Sequence, residues 1–157
     1  MMDWSFSPAL AWAVVGLVLL IAELVAARLP LSLARGFLLP DDEPALRALL
    51  TDLALVQGFD LILTTGGTGV APRDVTPETT RAALDREIPG IGETMRRVGQ
   101  AITPRAILSR ATAGLIGKVL AVNLPGSPRG AVESFDAISS LIPHIVDLAC
   151  GRTLHHE

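Results

Sequence analysis

The sequence has a single cysteine, Cys150, in 157 residues, which excludes an intramolecular disulfide and makes a reducing compartment the simplest setting. Its three histidines, His144, His155 and His156, stand apart or at the tail, so no cysteine–histidine cluster offers a zinc site. Charged residues are few, 18% of the chain, whereas 50% are apolar. That balance excludes a disordered chain and suits a buried parallel sheet or a membrane segment. No block of like charge occurs, and 13 basic against 16 acidic residues leave a net charge of -3. A nucleic-acid partner held by bulk electrostatics is therefore not expected. All basic residues except Lys118 are arginines, a choice that suits fork-like contacts to phosphates and carboxylates and that a GC-rich genome equally produces.

What is present is one domain's worth of chain, long enough to bury a core. From Trp4 through Ala22 no residue is charged. Residues 8–27 then read either as a buried helix, with Ser7 as N-cap and Pro8 in the first turn, or as a helix in or on a membrane. No basic residue precedes the run, which is a poor secretory signal for that reason. If it spans, Arg28 and Arg35 place the remainder in the cytoplasm. LSLARGFLL (31–39), between Pro30 and Pro40, suggests a strand. PDDEPALRALLTDLALVQG then reads as a loop and a helix that begins at Asp42 or Glu43, keeps Leu46, Leu49, Leu50 and Leu53 at helical spacing, and ends at Gly58.

FDLILTT reads as a strand buried on both faces of a parallel sheet. It leads into TTGGTGVAPRDVTPE (64–78), after which Thr76 can cap a helix carrying Pro77 and Glu78 in its first turn. Pro89, Gly90 and Gly92 are expected to break REIPGIGETMRRVGQ before a second helical piece, and ITPRAILSRATAGLIGK reads as turn-rich with short helical potential. VLAVNLPGSPRGAVESF repeats the pattern of buried strand, Pro/Gly/Ser loop and helix, and FDAISSLIPHIVDLACG closes as an amphipathic helix kinked or restarted near Pro143. The alternation of strand and helix predicts a mostly parallel sheet with helices on both sides, and places both special loops at its C-terminal edge, where open α/β folds bind ligands.

Gly66, Gly67 and Gly69 let backbone approach a ligand and turn N–H groups inward, as phosphate cradles do, although the stretch fits neither the dinucleotide fingerprint nor the P-loop. Asp74 follows closely, and Asp41, Asp42 and Glu43 follow the preceding predicted strand. Carboxylates beside a phosphate cradle are reconciled by a shared divalent cation. The plainer reading of Asp42 and Glu43 is a solvated helix start, where acids favour the dipole; that of PGSP (125–128) is an ordinary turn.

With these loops in order the chain resembles the molybdopterin adenylyltransferases of molybdenum cofactor biosynthesis, the gephyrin G-domain-like family. The segments that carry the resemblance are LLPDDEPAL, DLILTTGGTGVAPRDVTPE, PGIGETMR, AILSRATAG and VNLPGSP, which together span most of residues 38–150. The resemblance implies a three-layer αβα sandwich that trimerises, binds Mg-ATP and molybdopterin, and moves AMP onto the pterin's terminal phosphate with release of pyrophosphate. It implies Asp41 and Asp74 as catalytic and Mg²⁺-binding residues, and Thr65, Gly66, Gly67, Thr68 and Gly69 on the phosphate or pterin side. Ser109 would lie in the pterin-side loop and Pro125, Gly126 and Ser127 against the nucleotide. A molybdate-inserting protein is the implied next partner. The family's opening strand with its Ser-Asp turn has no counterpart before residue 38, where the apolar run stands instead. The expected organisation is a hydrophobic segment and short strand over 1–36, the molybdopterin-binding-like domain over 37–152, and a tail over 153–157. The alternative function is a catalytically impaired homologue that keeps molybdopterin binding, with a membrane tether.

Overall fold

A computed structural model describes residues 35–39 and 42–152. The chain divides into two units, residues 1–37 and 38–157. In the first, only 35–37 are described, and they form no regular element. The expected helix over 8–27, the missing family strand and the tail at 153–157 lie outside the described residues. Among those described, no helix is long and apolar enough to cross a membrane.

Proline sets the starts of the helices. Pro44, Pro77, Pro89, Pro104, Pro128 and Pro143 each stand in the first two positions of a helical segment, where their lacking N–H costs nothing and their fixed φ favours the turn. Helix α1 (Glu43–Thr51) opens on Asp42, whose Oδ2 accepts from the Ala45 N–H at 3.0 Å, so the plain helix-start reading holds for this residue. A π-helical turn over Asp52–Val56 continues it, and Gly58, at φ 68°, reverses the chain. Strand β1 is Leu61–Thr65 and helix α2 is Thr76–Ala83. Strand β2 is the short Arg86–Glu87 and helix α3 is Pro89–Gln100. A 3-10 turn over Pro104–Leu108 precedes strands β3 (Ala113–Ile116) and β4 (Val119–Leu124). Helix α4 (Pro128–Ile138) is followed by a 3-10 turn and helix α5 (Ile142–Ala149), the restart expected near Pro143.

The α/β class is as expected, but the sheet is mixed rather than mostly parallel among the described strands. Its order is β1-β4-β3-β2; β1 runs parallel to β4, whereas β3 is antiparallel to β4 and β2 to β3. The reason lies in AGLIGKVL. Ile116 pairs with Val119 across a two-residue turn, and two residues can only join antiparallel strands. Gly117, first in that turn, has φ 61°, which glycine adopts without a side-chain clash. Strand β1 is also less enclosed than its apolar sequence suggests, with only Ile62 fully buried. The strand expected over 31–39 does not form in its described part, since residues 35–39 pair with nothing regular.

Thr76 is not the cap but the first helical residue of α2, and its buried side chain lies against Gly67. Gly90 and Gly92 do not break α3, which runs unbroken from Pro89. A Cβ at Gly92 would come within 2.7 Å of the Ala111 carbonyl oxygen, so this glycine brings the helix close to the chain entering β3.

β4 is the centre of the core, with all six residues buried. Val119 and Ala121 join Leu50, Leu53, Ala54, Ile62 and Ile116 in one apolar cluster, against which Leu46, Leu49 and Phe59 pack. Helices α1 and α2 contact each other, as do α3 and α4. Asn123 is the polar exception in β4, fully buried, with its Nδ2 donating to Thr64 Oγ1 and Thr80 Oγ1, each at 2.9 Å. It links β1, β4 and α2 one residue short of the ends of both parallel strands.

Candidate active site

The parallel pairing of β1 with β4 brings Thr65 opposite Leu124, so the glycine-rich loop and the Pro125–Gly126–Ser127 loop leave the sheet side by side. Three contacts join them. The Gly66 N–H donates to the Leu124 carbonyl at 3.2 Å, the Thr65 hydroxyl donates to the Pro125 carbonyl at 2.9 Å, and a Cβ on Gly126 would stand 3.1 Å from Gly66 Cα. Ser127 caps α4, its Oγ accepting from the Gly130 N–H at 3.2 Å, so this side chain has a structural task as well as its place beside the glycines.

Gly66 and Gly67 have φ of 97° and 62°, values that side-chain-bearing residues rarely adopt. The turn sends the chain under the start of α2, where the Thr76 N–H donates to the Gly67 carbonyl at 3.3 Å. The amides of Gly67, Thr68 and Gly69 donate to no acceptor among the described residues. Three successive N–H groups with no acceptor among the described residues are donors that an anion could take up. Asp74 folds back on the same loop. Its Oδ2 accepts from the Ala71 N–H at 2.9 Å and stands where a Cβ on Gly69 would be only 2.7 Å away, so glycine at 69 is what lets the carboxylate reach the cradle.

The sequence reading passed over Arg110, which binds this loop together. Its Nε donates to the Gly69 carbonyl at 2.6 Å and its Nη2 to the Asp74 carbonyl at 2.5 Å. Its Nη1 pairs with Glu78 Oε1, and its backbone N–H donates to the Thr68 carbonyl at 2.9 Å. The available signal was a lone arginine between a candidate site serine and an apolar strand. Ser109 is thereby drawn beside the glycine loop. Its Oγ accepts from the Ala111 N–H at 3.4 Å, and its carbonyl from Arg96 Nη1 at 3.3 Å. Ser109 and Arg110 line a cavity of about 340 Å³ with Glu78, Arg81, Glu87 and Thr112. In that cavity the Thr112 hydroxyl donates to Glu87 Oε1 at 2.6 Å and, against the opposing effect of burial and with help from Arg81, holds the Glu87 carboxyl below its usual range. A larger hollow of about 820 Å³ along α1 shares no residue with the loops.

Of the residues expected at the site, Thr65, Gly66, Gly67, Thr68, Gly69, Asp74, Pro125, Gly126 and Ser127 therefore occupy one sheet edge, with Ser109 adjoining through Arg110. Asp41 lies outside the described residues. No group of three or more metal-ligating side chains occurs among the described residues.

Comparison with known proteins shows the family. Residues 19–144 match the family model described as "Probable molybdopterin binding domain". The chain belongs to the molybdopterin-binding domain family. Among members, the molybdopterin adenylyltransferase of Haemophilus influenzae is 46% identical over 101 residues, covering 64% of this chain and 51% of that protein. The Escherichia coli K12 molybdopterin adenylyltransferase is 40% identical over 109 residues, covering 69% and 56%. The chain thus spans about half the length of the curated relatives it matches. Among solved structures, the molybdopterin biosynthesis enzyme MoaB of Thermus thermophilus superposes with a TM-score of 0.79 at 50% identity, covering 85% of this chain and 84% of that one. The molybdopterin biosynthesis Mog protein of Mycobacterium ulcerans gives 0.78 at 38% identity, covering 85% and 86%.

Proposed function

We propose that this chain is a molybdopterin adenylyltransferase that uses Mg-ATP. The observation that carries the reading is the glycine loop itself: amides of Gly67, Thr68 and Gly69 with no acceptor among the described residues, the Asp74 carboxylate folded against Gly69, and the Pro125–Ser127 loop alongside. Membership of the family supports the pterin as acceptor, and the names of the relatives support adenylyl transfer. In the reaction, an oxygen of the molybdopterin terminal phosphate forms a bond to the α-phosphorus of ATP. The bond from that phosphorus to the bridging α,β-oxygen breaks, and pyrophosphate leaves with the electron pair.

Phosphoryl chemistry of this kind needs positioning and charge neutralisation more than covalent help. The glycine-loop amides would hold phosphate oxygens, the 125–127 loop would border the nucleotide, and Ser109 would border the pterin. Asp74 suits a hard cation shared with phosphates: its Oδ2 is engaged by Ala71, while its Oδ1 has no donor among the described residues. Magnesium is commonly held by one or two carboxylates plus substrate phosphates, and when bound it would neutralise charge developing there. Asp41 is the second carboxylate of the proposal.

The test is molybdopterin-dependent release of pyrophosphate from Mg-ATP by the purified full-length chain. The Asp74→Ala variant should lose at least about a hundredfold in turnover while remaining folded. A folded wild-type chain that binds molybdopterin but releases no pyrophosphate would instead be a binding-only homologue, and the adenylyltransferase reading would fall.

A further inference from the structure

Between β1 and α2, residues 66–75 form no helix or strand, yet this stretch holds Asp74 and the cradle. Few internal bonds fix it: Asp74 N–H to the Ala71 carbonyl at 2.9 Å, Ala71 N–H to Asp74 Oδ2 at 2.9 Å, and Thr76 N–H to the Gly67 carbonyl at 3.3 Å. A turn closed by such bonds can move as a unit unless something outside it holds both of its ends. Arg110 does this from the far side of the chain. Its guanidinium grips the loop at Gly69 and again at Asp74, its third nitrogen is held by Glu78 in the first turn of α2, and its own amide binds Thr68. Arg110 is in turn set in place by its neighbours, because Arg96 Nη1 on α3 donates to the carbonyls of both Ser109 and Ala111, at 3.3 and 3.0 Å.

We infer that Arg110 is a positioning residue: its guanidinium nitrogens are engaged by Gly69, Asp74 and Glu78, and through them it fixes the Asp74 carboxylate and the glycine-loop amides in their working geometry. The chemistry requires arginine. Three nitrogens of one rigid plane reach three acceptors in different directions, which a lysine ammonium on a flexible stem cannot reproduce. The placement of the loop stands on geometry alone; its consequence for turnover rests on the adenylyl-transfer reading. Because Arg110 follows Ser109, the same side chain ties the pterin-side segment to the phosphate-side loop, so a shift at one is carried to the other.

The experiment compares wild type with Arg110→Lys and Glu78→Gln in the full chain, without ligand, by hydrogen exchange at the amides of Ala71, Asp74 and Thr76, with the amides of β4 as an internal reference. Loss of two charge-assisted bonds to the loop should speed exchange at those three amides about tenfold or more in Arg110→Lys, with β4 unchanged. Glu78→Gln, which removes only a half-exposed ion pair, should change them far less. Unchanged exchange at the three amides would overturn the proposal, as would an equal rise across β4, which would mark a merely structural residue. In adenylyl transfer, Arg110→Lys should lower kcat about tenfold or more with KM for ATP altered by less than about threefold; a change confined to KM would count against it. Should the wild-type chain show no transfer while loop exchange still responds to Arg110→Lys, the clamp stands and only the assignment of activity fails.

Discussion

Removing the Asn123 side chain tests how the two loops are held at one height. Asn123 is fully buried in β4 and pairs in register with Thr64 of β1. Its amide donates to Thr64 Oγ1 and Thr80 Oγ1, and its Oδ1 accepts from the Thr112 N–H at 3.4 Å. In Asn123→Ala, Thr80 and Thr112, both buried, lose these partners, and a small cavity opens between sheet and α2. An unpaired buried polar group costs about 1–3 kcal/mol and the cavity adds to this, while the partly exposed Thr64 can turn to water. A loss of about 3 kcal/mol is expected, equivalent to a fall in Tm of roughly 10 °C for a chain of this size. Urea unfolding of the single variants Asn123→Ala and Thr80→Val and of the double variant should show coupling of about 1 kcal/mol between the two sites. A loss below about 1 kcal/mol for Asn123→Ala, or strictly additive effects, would refute the view that this buried network fixes the loop ends.

Further outcomes follow from the loop and its surroundings. Gly67→Ala places a Cβ on Thr76 Oγ1 at a positive φ, so it should cost about 2–3 kcal/mol; in a Thr76→Ala background part of that loss should return, as read by thermal unfolding. Asp74→Ala should change the urea midpoint by the equivalent of less than about 1 kcal/mol, since the carboxylate bonds only within its own loop; unfolding of the variant would show that the loop supports the core. The Thr112 hydroxyl lowers the Glu87 carboxyl from a usual value near 4.5, so its stabilisation is complete above about that pH and is lost as pH falls through the lower folded value. Wild type should therefore exceed Thr112→Val by at most about 1 kcal/mol near neutrality, given the exposure of Glu87, and the difference should shrink on acidification. A difference that grew in acid would reverse the assignment.

Much of this was written in local chemistry. Ser127 with Pro128, Asp42 with Pro44, and Pro143 mark helix starts by capping and by the fixed φ of proline, both of which act within one turn of chain. The glycines at 66, 67 and 69 signalled a close-packed loop because only glycine adopts such backbone, or leaves such space, whatever surrounds it. Other readings failed where distant contacts outweighed local preference. Gly90 and Gly92 looked like breaks, yet the close approach of Ala111 to Gly92 makes the absent side chain an asset within a continuous helix. ITPRAILSRATAGLIGK looked turn-rich, hiding strand β3, because half of a hairpin is recognisable only with the strand it pairs to.

The sequence alone therefore determined where the glycine loop turns, the α/β class and the family, since these depend on residue type and spacing along the chain. Tertiary structure decided that β1 and β4 set the two loops side by side, that Asn123 would be paired in the core, and that Arg110, 36 residues after Asp74, would hold it. These are meetings of residues far apart in sequence, chosen by how strands pair and helices cover them, and no local propensity encodes which partners will meet.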